Sequence, residues 1–541
     1  MLMYNIEGGK KLRETKMRRI ILQKPISNYW VVLLFSVPYL FSPVSAHGFS
    51  KGREVTSASS LQVLFTGSRE GEIEPCGCQV HQIGGLHRLQ TLMTSDGLKN
   101  GPNEARLYVD AGDSFFSLPQ LPESRIEREK RRAGLIASSF RRFQLRALNV
   151  GPRDLASGMD VLKSLEKSSG ATFISSNLRT KKDKSPFPGF VKIEVGGAKI
   201  NIIGVMDPQL LPPDSDYKAL DPLKSIAETL KKIKPSKDEP VILLSLLDES
   251  ENQKIAEQFA ITLIIRGHAF EVTDTPITKS GTTIVQVKNQ GQQLGKVRYK
   301  FTGGKIEGFE AIDLDEALDR ENELHQQMKE YKEEVRQQAI KESANFSEKE
   351  SDNPYVANAF YCKTCHQKQY DFWKDTKHAS AYLVLYAKNQ HFDPDCIKCH
   401  SIGYQDPKGF SNIAKPIELT ADAKVSEKGP IIETLMKKVF SEDTGKGALD
   451  SRKEPARYAK LKKKYHEVID TWDENEWISQ LHAGVQCEHC HGNRHGHPGS
   501  GAQTQKKVVE VSCKNCHSLP HASPYDPKRF PEVACPLSSS M

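Results

Sequence analysis

The sequence predicts two domains of different class: a layered α/β sandwich in front and a mainly α-helical, cysteine- and histidine-rich domain behind. Three observations predict this. Apolar β-like runs alternate with helical patterns across residues 61–312. A dense run of mixed charge follows at 313–352. Beyond it, eight of the chain's eleven cysteines fall in four copies of one five-residue pattern. A length of 541 residues exceeds one ordinary core and allows such a division. A hydrophobic content of 38% with 27% charged residues is that of a globular, water-facing protein.

The α/β reading rests on particular runs. Residues 61–66, 107–110, 172–176, 241–246 and 261–265 are short, apolar and rich in β-branched residues, as buried strands are. Helical periodicity falls between them at 126–143, 159–167 and 223–233. Residues 190–195 and 198–205 flank Gly196-Gly197 and predict a hairpin. Residues 282–287 and 296–301 predict another antiparallel pair. The expected domain spans 47–312 and has a pair of sheets at its core. In the charged segment, Leu318, Leu324, Met328, Tyr331 and Val335 recur at near-helical spacing, which predicts an amphipathic joining helix over 313–352. The stripe spans too few heptads for a coiled coil.

The repeated pattern in 353–541 is C-x-x-C-H: Cys362-Lys-Thr-Cys365-His366, Cys396-Ile-Lys-Cys399-His400, Cys487-Glu-His-Cys490-His491 and Cys513-Lys-Asn-Cys516-His517. This is the c-type heme attachment pattern. Two thiols three positions apart reach the two vinyl groups of one porphyrin, and the next residue faces the iron as proximal ligand. Zinc sites also use paired cysteines but do not require histidine after each pair. A chance copy is expected less than about once in a hundred chains of this composition. Four covalently bound hemes c are therefore expected, with His366, His400, His491 and His517 proximal. Candidate distal ligands are His378, which follows the first motif, His495 and His497 after the third, His521 after the fourth, and His482. His391, His466 and His489 are further possibilities. Between the second and third motifs lies a long insert, 401–486, rich in Lys and Glu, expected to fold over the hemes and to offer a docking face.

These residues carry a resemblance. Trp373…His378-Ala, Cys396-x-x-Cys399-His400-Ser-Ile-Gly403-Tyr404, Gly484-Val-Gln-Cys487…His491-Gly492…His497 and Cys513-x-x-Cys516-His517…Ser523-Pro524-Tyr525-Asp526 resemble the cytochrome c-554 type of tetraheme protein over about 353–530. The resemblance implies closely stacked, mostly bis-histidine hemes with room for one five-coordinate iron, and axial roles for His378 and His497. The tail, ending Cys535-Pro, has no further histidine after the fourth motif's surroundings, so one family ligand is missing or comes from elsewhere.

The order of the first domain resembles the metallophosphatase domain of periplasmic 5′-nucleotidases. Asp110-Ala-Gly112-Asp113 resembles its Gly-Asp metal motif, Asn177 lies in a similar Ser-Ser-Asn-Leu stretch, and Gly267-His268 resembles its late Gly-His-x-His motif. The departures are larger than the matches. The opening Asp-x-His-Gly is Ser68-Arg69-Glu70-Gly71, the Gly-Asn-His-Glu motif is Gly151-Pro152-Arg153-Asp154, the mid-domain histidine is Leu246 and the last is Phe270. Asp113 and His268 remain, and two ligands rarely hold two divalent ions. A degenerate binding or scaffolding domain is the favoured reading, with Asp113 and His268 as the weak metal site. Cys76 and Cys78 in the first loop are added candidates for a soft metal, thiol exchange or approach to a heme; a bond between two such near neighbours is strained.

The formal net charge of +8 is concentrated at the start, where residues 1–46 hold seven Lys/Arg against two acids and leave +3 for the rest. No nucleic-acid partner is expected. The same segment runs from a basic stretch through an apolar run, 30–41, to Val44-Ser45-Ala46, which predicts a secretory signal; Met17 is an alternative start and an uncleaved anchor the alternative fate. The expected location is the periplasm or cell exterior. The expected function is electron transfer between redox partner proteins there. The alternatives are an oxidoreductase acting on a small inorganic nitrogen or sulfur compound at an open heme iron, and a metal-dependent phosphoesterase with an attached cytochrome.

Overall fold

The computed structural model describes residues 58–75, 82–101, 103–268, 275–344, 359–404, 431–445, 449, 451, 453–470, 483–492, 513–517, 525–533 and 535. The expected signal segment lies outside them, as do Cys76, Cys78, Phe270, His482, His495, His497 and His521.

Two six-stranded sheets form the front of the molecule. The first is built from β1 (Ser60–Thr66), β2 (Glu104–Asp110), β3 (Ala147–Asn149) and β4 (Thr172–Ile174), all parallel to their neighbours. It is extended past β1 by the antiparallel β13 (Gln293–Lys300) and β14 (Lys305–Asp313). The crossovers between its parallel strands carry α1 (Leu86–Met93), α2 (Ile126–Arg142) and α3 (Met159–Ser169). A two-stranded ribbon pairs β5 (Leu178–Thr180) with β8 (Tyr217–Ala219).

The second sheet has parallel β7 (Ala198–Met206), β9 (Val241–Leu246), β10 (Leu263–Arg266) and β12 (Thr282–Gln286), with β6 (Phe190–Val195) and β11 (Ile277–Lys279) antiparallel at its edges. Helices α4 (Pro222–Ile233) and α5 (Glu249–Gln258) lie among its crossovers.

Side-chain alternation explains why both strand faces are apolar. Leu61, Val63 and Phe65 of β1 join Ile242 and Leu244 of β9 in the layer between the sheets. Leu64 points the other way into a cluster with α1, α2 and α3, and Val241 and Leu243 point towards α4 and α5. The layered α/β sandwich predicted from the sequence is what forms. Most elements stand within a residue or two of their predicted bounds, and the Gly196-Gly197 hairpin forms as expected.

One pairing is corrected. The predicted antiparallel partners 282–287 and 296–301 lie in different sheets: β12 runs parallel to β10, and β13 pairs with β1 and β14. Both runs have strand character, but the chain crosses from one layer to the other between them.

The joining segment forms α6 (Glu323–Ala344). Its stripe is divided between two cores, with Leu324 and Met328 packed among the residues of α1 and α2 and Ala339 in the core behind. That second core gathers α9 (Ala381–Ala387), α10 (Pro394–His400), α11 (Ile431–Phe440) and α12 (Pro455–Asp470) through Leu383, Ile397, Met436, Leu461 and Tyr465. The short helices α7 (Ala359–Lys363), α8 (Gln367–Asp375) and α13 (Cys487–His491) complete the described part of this mainly helical region.

A glycine sets the close fit of β1 against β13. Gly295 pairs with Phe65, and a Cβ there would lie 2.2 Å from the Phe65 ring. Gly295→Ala is expected to destabilise the protein by about 1–3 kcal/mol through overpacking, measured by denaturant unfolding beside the parent chain.

Candidate functional site

The C-x-x-C-H segments fold as single helical turns. The N–H of His366 donates to the carbonyl of Cys362 at 2.9 Å, and that of His517 to Cys513 at 2.8 Å. The second and third motifs lie on α10 and α13. First cysteine and histidine, four residues apart, thus share one face.

A short strap, residues 483–486, ties three of the motifs together. The Gly484 N–H donates to the carbonyl of His400 at 2.7 Å and the Val485 N–H to that of His378 at 3.0 Å. The Trp373 indole N–H donates to the Val485 carbonyl at 2.8 Å, and the Gln486 side-chain oxygen accepts from the Ala359 N–H at 2.7 Å. Gly484 has φ +94, and a Cβ there would stand 2.8 Å from the Ala379 carbonyl oxygen, so the strap passes only as glycine. The strap was not found from sequence; its only signal was the glycine three residues before Cys487.

The motifs come close to one another. Cys362 and Cys487 are hydrogen-bonding neighbours, as are Cys399 and Cys516. Among the described residues no cysteine is in a disulfide. His378, predicted as a distal ligand, faces His517 with ring centres 6.2 Å apart and planes at 70°. When heme c is bound, these two histidines would be placed to hold its iron. Burial, with the nearby His517 and His400, pushes His378 down to about 4, so it is neutral at pH 7, the form that ligates. His400 Nδ1 lies 2.7 Å from the Ala381 carbonyl oxygen. A carbonyl only accepts, so Nδ1 carries the proton and the Nε2 lone pair is left for a metal. These residues fit c-type heme.

Other histidines are otherwise placed. His489 Nδ1 accepts from the Gln486 N–H at 3.1 Å and the ring also bonds the Ser401 backbone, so it caps α13. His391 is buried against the Phe392 and Tyr386 rings at 3.9 and 4.6 Å, and burial pushes it down to about 3. His466 is buried beside Tyr465.

A second group of polar residues lies at the carboxyl ends of the parallel strands, where open α/β sheets present ligands. Asp113 and His268 come together there, Oδ2 to Nδ1 3.8 Å, both with positive φ. What surrounds them differs from a metal cage. The Asp154 carboxylate accepts backbone N–H groups of Gly151, Asp113, Ser114 and Phe115 at 2.8–3.1 Å. The Arg153 backbone N–H donates to Asp113 Oδ1 at 2.8 Å, and its guanidinium lies 3.7 Å from Glu70 and bonds the Ser117 carbonyl. Leu246 fills the centre: a Cβ on Gly151 or Gly267 would lie 2.6 or 2.8 Å from its methyl carbons. Asn177 is spent on the backbone of Met206 and Leu220. Burial pushes Asp113 up, helped by the neighbouring Asp154 charge, while burial and Arg153 push His268 down. Among the described residues no group of three or more His, Cys, Asp or Glu side chains is arranged to hold a metal ion. The Arg153–Glu70 pairing was missed in the sequence, where both were seen only as lost ligands.

The strap makes one position decisive. Gly484→Ala is expected to displace the strap from Ala379, with a cost of about 1–3 kcal/mol, and to reduce heme c bound per chain, measured by pyridine hemochrome.

The comparisons divide as the fold does. The model of the family "Cytochrome c554 and c-prime" matches residues 361–424, which hold the first two motifs, so this part of the chain carries a cytochrome c segment. No curated protein sequence matches significantly. The chain is similar to a 5′-nucleotidase precursor from Thermus thermophilus, at 20% identity and TM-score 0.43, covering 51% of this chain and 59% of that one. It is similar to the sulfate thiohydrolase SoxB of Thermus thermophilus at 16% identity and TM-score 0.42, covering 52% and 66%. With the calcineurin-like phosphoesterase YfkN of Bacillus subtilis the values are 17% and 0.42, covering 51% and 98%. The chain thus spans less than two thirds of the length of the first two.

Proposed function

We propose that the protein is an exported tetraheme c-type cytochrome that carries electrons between redox partner proteins, with the α/β domain as a non-catalytic scaffold. The observation that carries this is the close approach of the C-x-x-C-H motifs to one another, with His378 set opposite His517. When bound, heme c supplies one-electron exchange between two iron oxidation states. The polypeptide supplies the rest. Cysteine pairs anchor the groups, the Ala381 carbonyl orients His400, and the strap holds three motifs in register.

Metal-dependent phosphoester cleavage has little support in this chain. In-line displacement needs two clamped cations, and here Leu246 methyl carbons crowd Gly151 and Gly267 beside Asp113, while the Arg153 guanidinium lies 3.7 Å from Glu70. Among the described residues no helix is long and apolar enough to cross a membrane. The export signal and an extracytoplasmic location belong to the proposal and rest on the sequence of residues 1–46.

Electron paramagnetic resonance and visible spectra of the oxidised, purified protein test the carrier reading. It predicts four low-spin hemes. A high-spin signal that shifts on adding nitric oxide or hydroxylamine would instead assign one iron as an open reaction site.

A further inference from the structure

The face that α2 turns towards the second motif is made of charge. Arg125 and Arg128, on adjacent positions of one helical face, both reach Asp395 Oδ2, at 2.9 and 2.7 Å, and Arg128 lies 3.9 Å from Asp393. Asp393 accepts from the Asp395 N–H at 2.9 Å and so caps α10, and Asp395 immediately precedes Cys396. The arginine and Asp395 side chains are only 14–18% exposed. Behind them Glu129, with a fully buried side chain, bonds Arg125 at 3.2 Å and is fixed by Ser117 Oγ at 2.8 Å. A second tie forms at the edge of this contact, where Glu74 accepts from Gln390 at 2.9 Å and pairs with Lys332.

Exposed ion pairs contribute almost nothing to stability, but removing one member of a largely buried pair leaves an uncompensated charge. Here that charge would stand beside the cysteine that anchors the second prosthetic group.

We propose that the α/β domain is an electrostatic mount for the second heme segment: Arg125 and Arg128 grip Asp395, fixing α10 and setting the charge next to the heme held by Cys396 and Cys399. The inference rests on reading that motif as a heme site. It assigns the domain a task that its filled strand-end site does not. A guanidinium near an iron disfavours the ferric state, and a carboxylate favours it. The two sides of the pair therefore pull the potential of that heme in opposite directions.

The test uses full-length, heme-loaded protein in three forms: Arg125→Gln with Arg128→Gln, Asp395→Asn, and Lys130→Gln as a control that pairs only with Glu127 on the outer face of α2. Spectroelectrochemical titration is expected to show one potential moving negative in the arginine variant and positive in Asp395→Asn, with Lys130→Gln unchanged. Hydrogen exchange of residues 390–400 is expected to rise in the first two. Unchanged potentials in both, with heme present on Cys396 and Cys399 by peptide mass, would overturn the mount and leave the cytochrome reading standing. Absence of heme from those cysteines in the parent protein would overturn both. If the arginine variant does not fold, Asp395→Asn alone decides, since a merely structural contact gives no positive shift.

Discussion

The carboxy-terminal region depends on the four-residue strap before Cys487. The end of α10 and the turn at His378 meet there through backbone hydrogen bonds, Gly484 to His400 and Val485 to His378, and the Trp373 indole of α8 and the Gln486 side chain, which bonds the start of α7, close the set. Such bonds fix the chain without using the cysteine and histidine side chains of the motifs. They place the first three motifs, and through His378 they aim an imidazole at the fourth. On the proposed four-heme reading, the region has few residues per prosthetic group and little apolar polypeptide to pack. Its described core, from Leu383 to Tyr465, lies largely in the insert and α9, so the geometry around the motifs is carried by directed bonds.

In the α/β domain a polar group stands at the ends of the parallel strands. Asp113 and His268 meet there, both with positive φ. Around them stand an arginine, a glutamate and a leucine. The Asp154 and Asp113 carboxylates accept backbone N–H groups, and Glu70 lies beside the Arg153 guanidinium. The same domain meets the second motif's helix through α2, so it has a place in the arrangement of the cytochrome segment.

Much of this was legible in the sequence. Strand and helix positions followed from periodicity because both sheets are buried on two faces, which gives unbroken apolar runs such as 241–246. The four C-x-x-C-H motifs, which the proposal reads as heme attachment sites, are legible from spacing alone. His378 was legible as a ligand candidate, but not the motif it faces, because the contact to His517 joins segments far apart in the chain. The pairing of β12 and β13 was misread for a related reason: alternation identifies a strand and its faces but does not say which sheet receives it. Nothing in the sequence marks Arg125 and Arg128, and only their meeting with Asp395 gives them a role. The residue types at Glu70, Arg153 and Leu246 are legible in the sequence, whereas the Arg153–Glu70 pairing and the packing of Leu246 need the fold.

The central claim is that four hemes are covalently held by the four motifs on this frame. Intact-mass spectrometry of the mature protein, with peptide mapping of each motif, tests it most directly. The account predicts the polypeptide mass plus four hemes, one on each pair Cys362 and Cys365, Cys396 and Cys399, Cys487 and Cys490, and Cys513 and Cys516. A mature protein with fewer hemes, or with these cysteines joined to one another as disulfides, would contradict it.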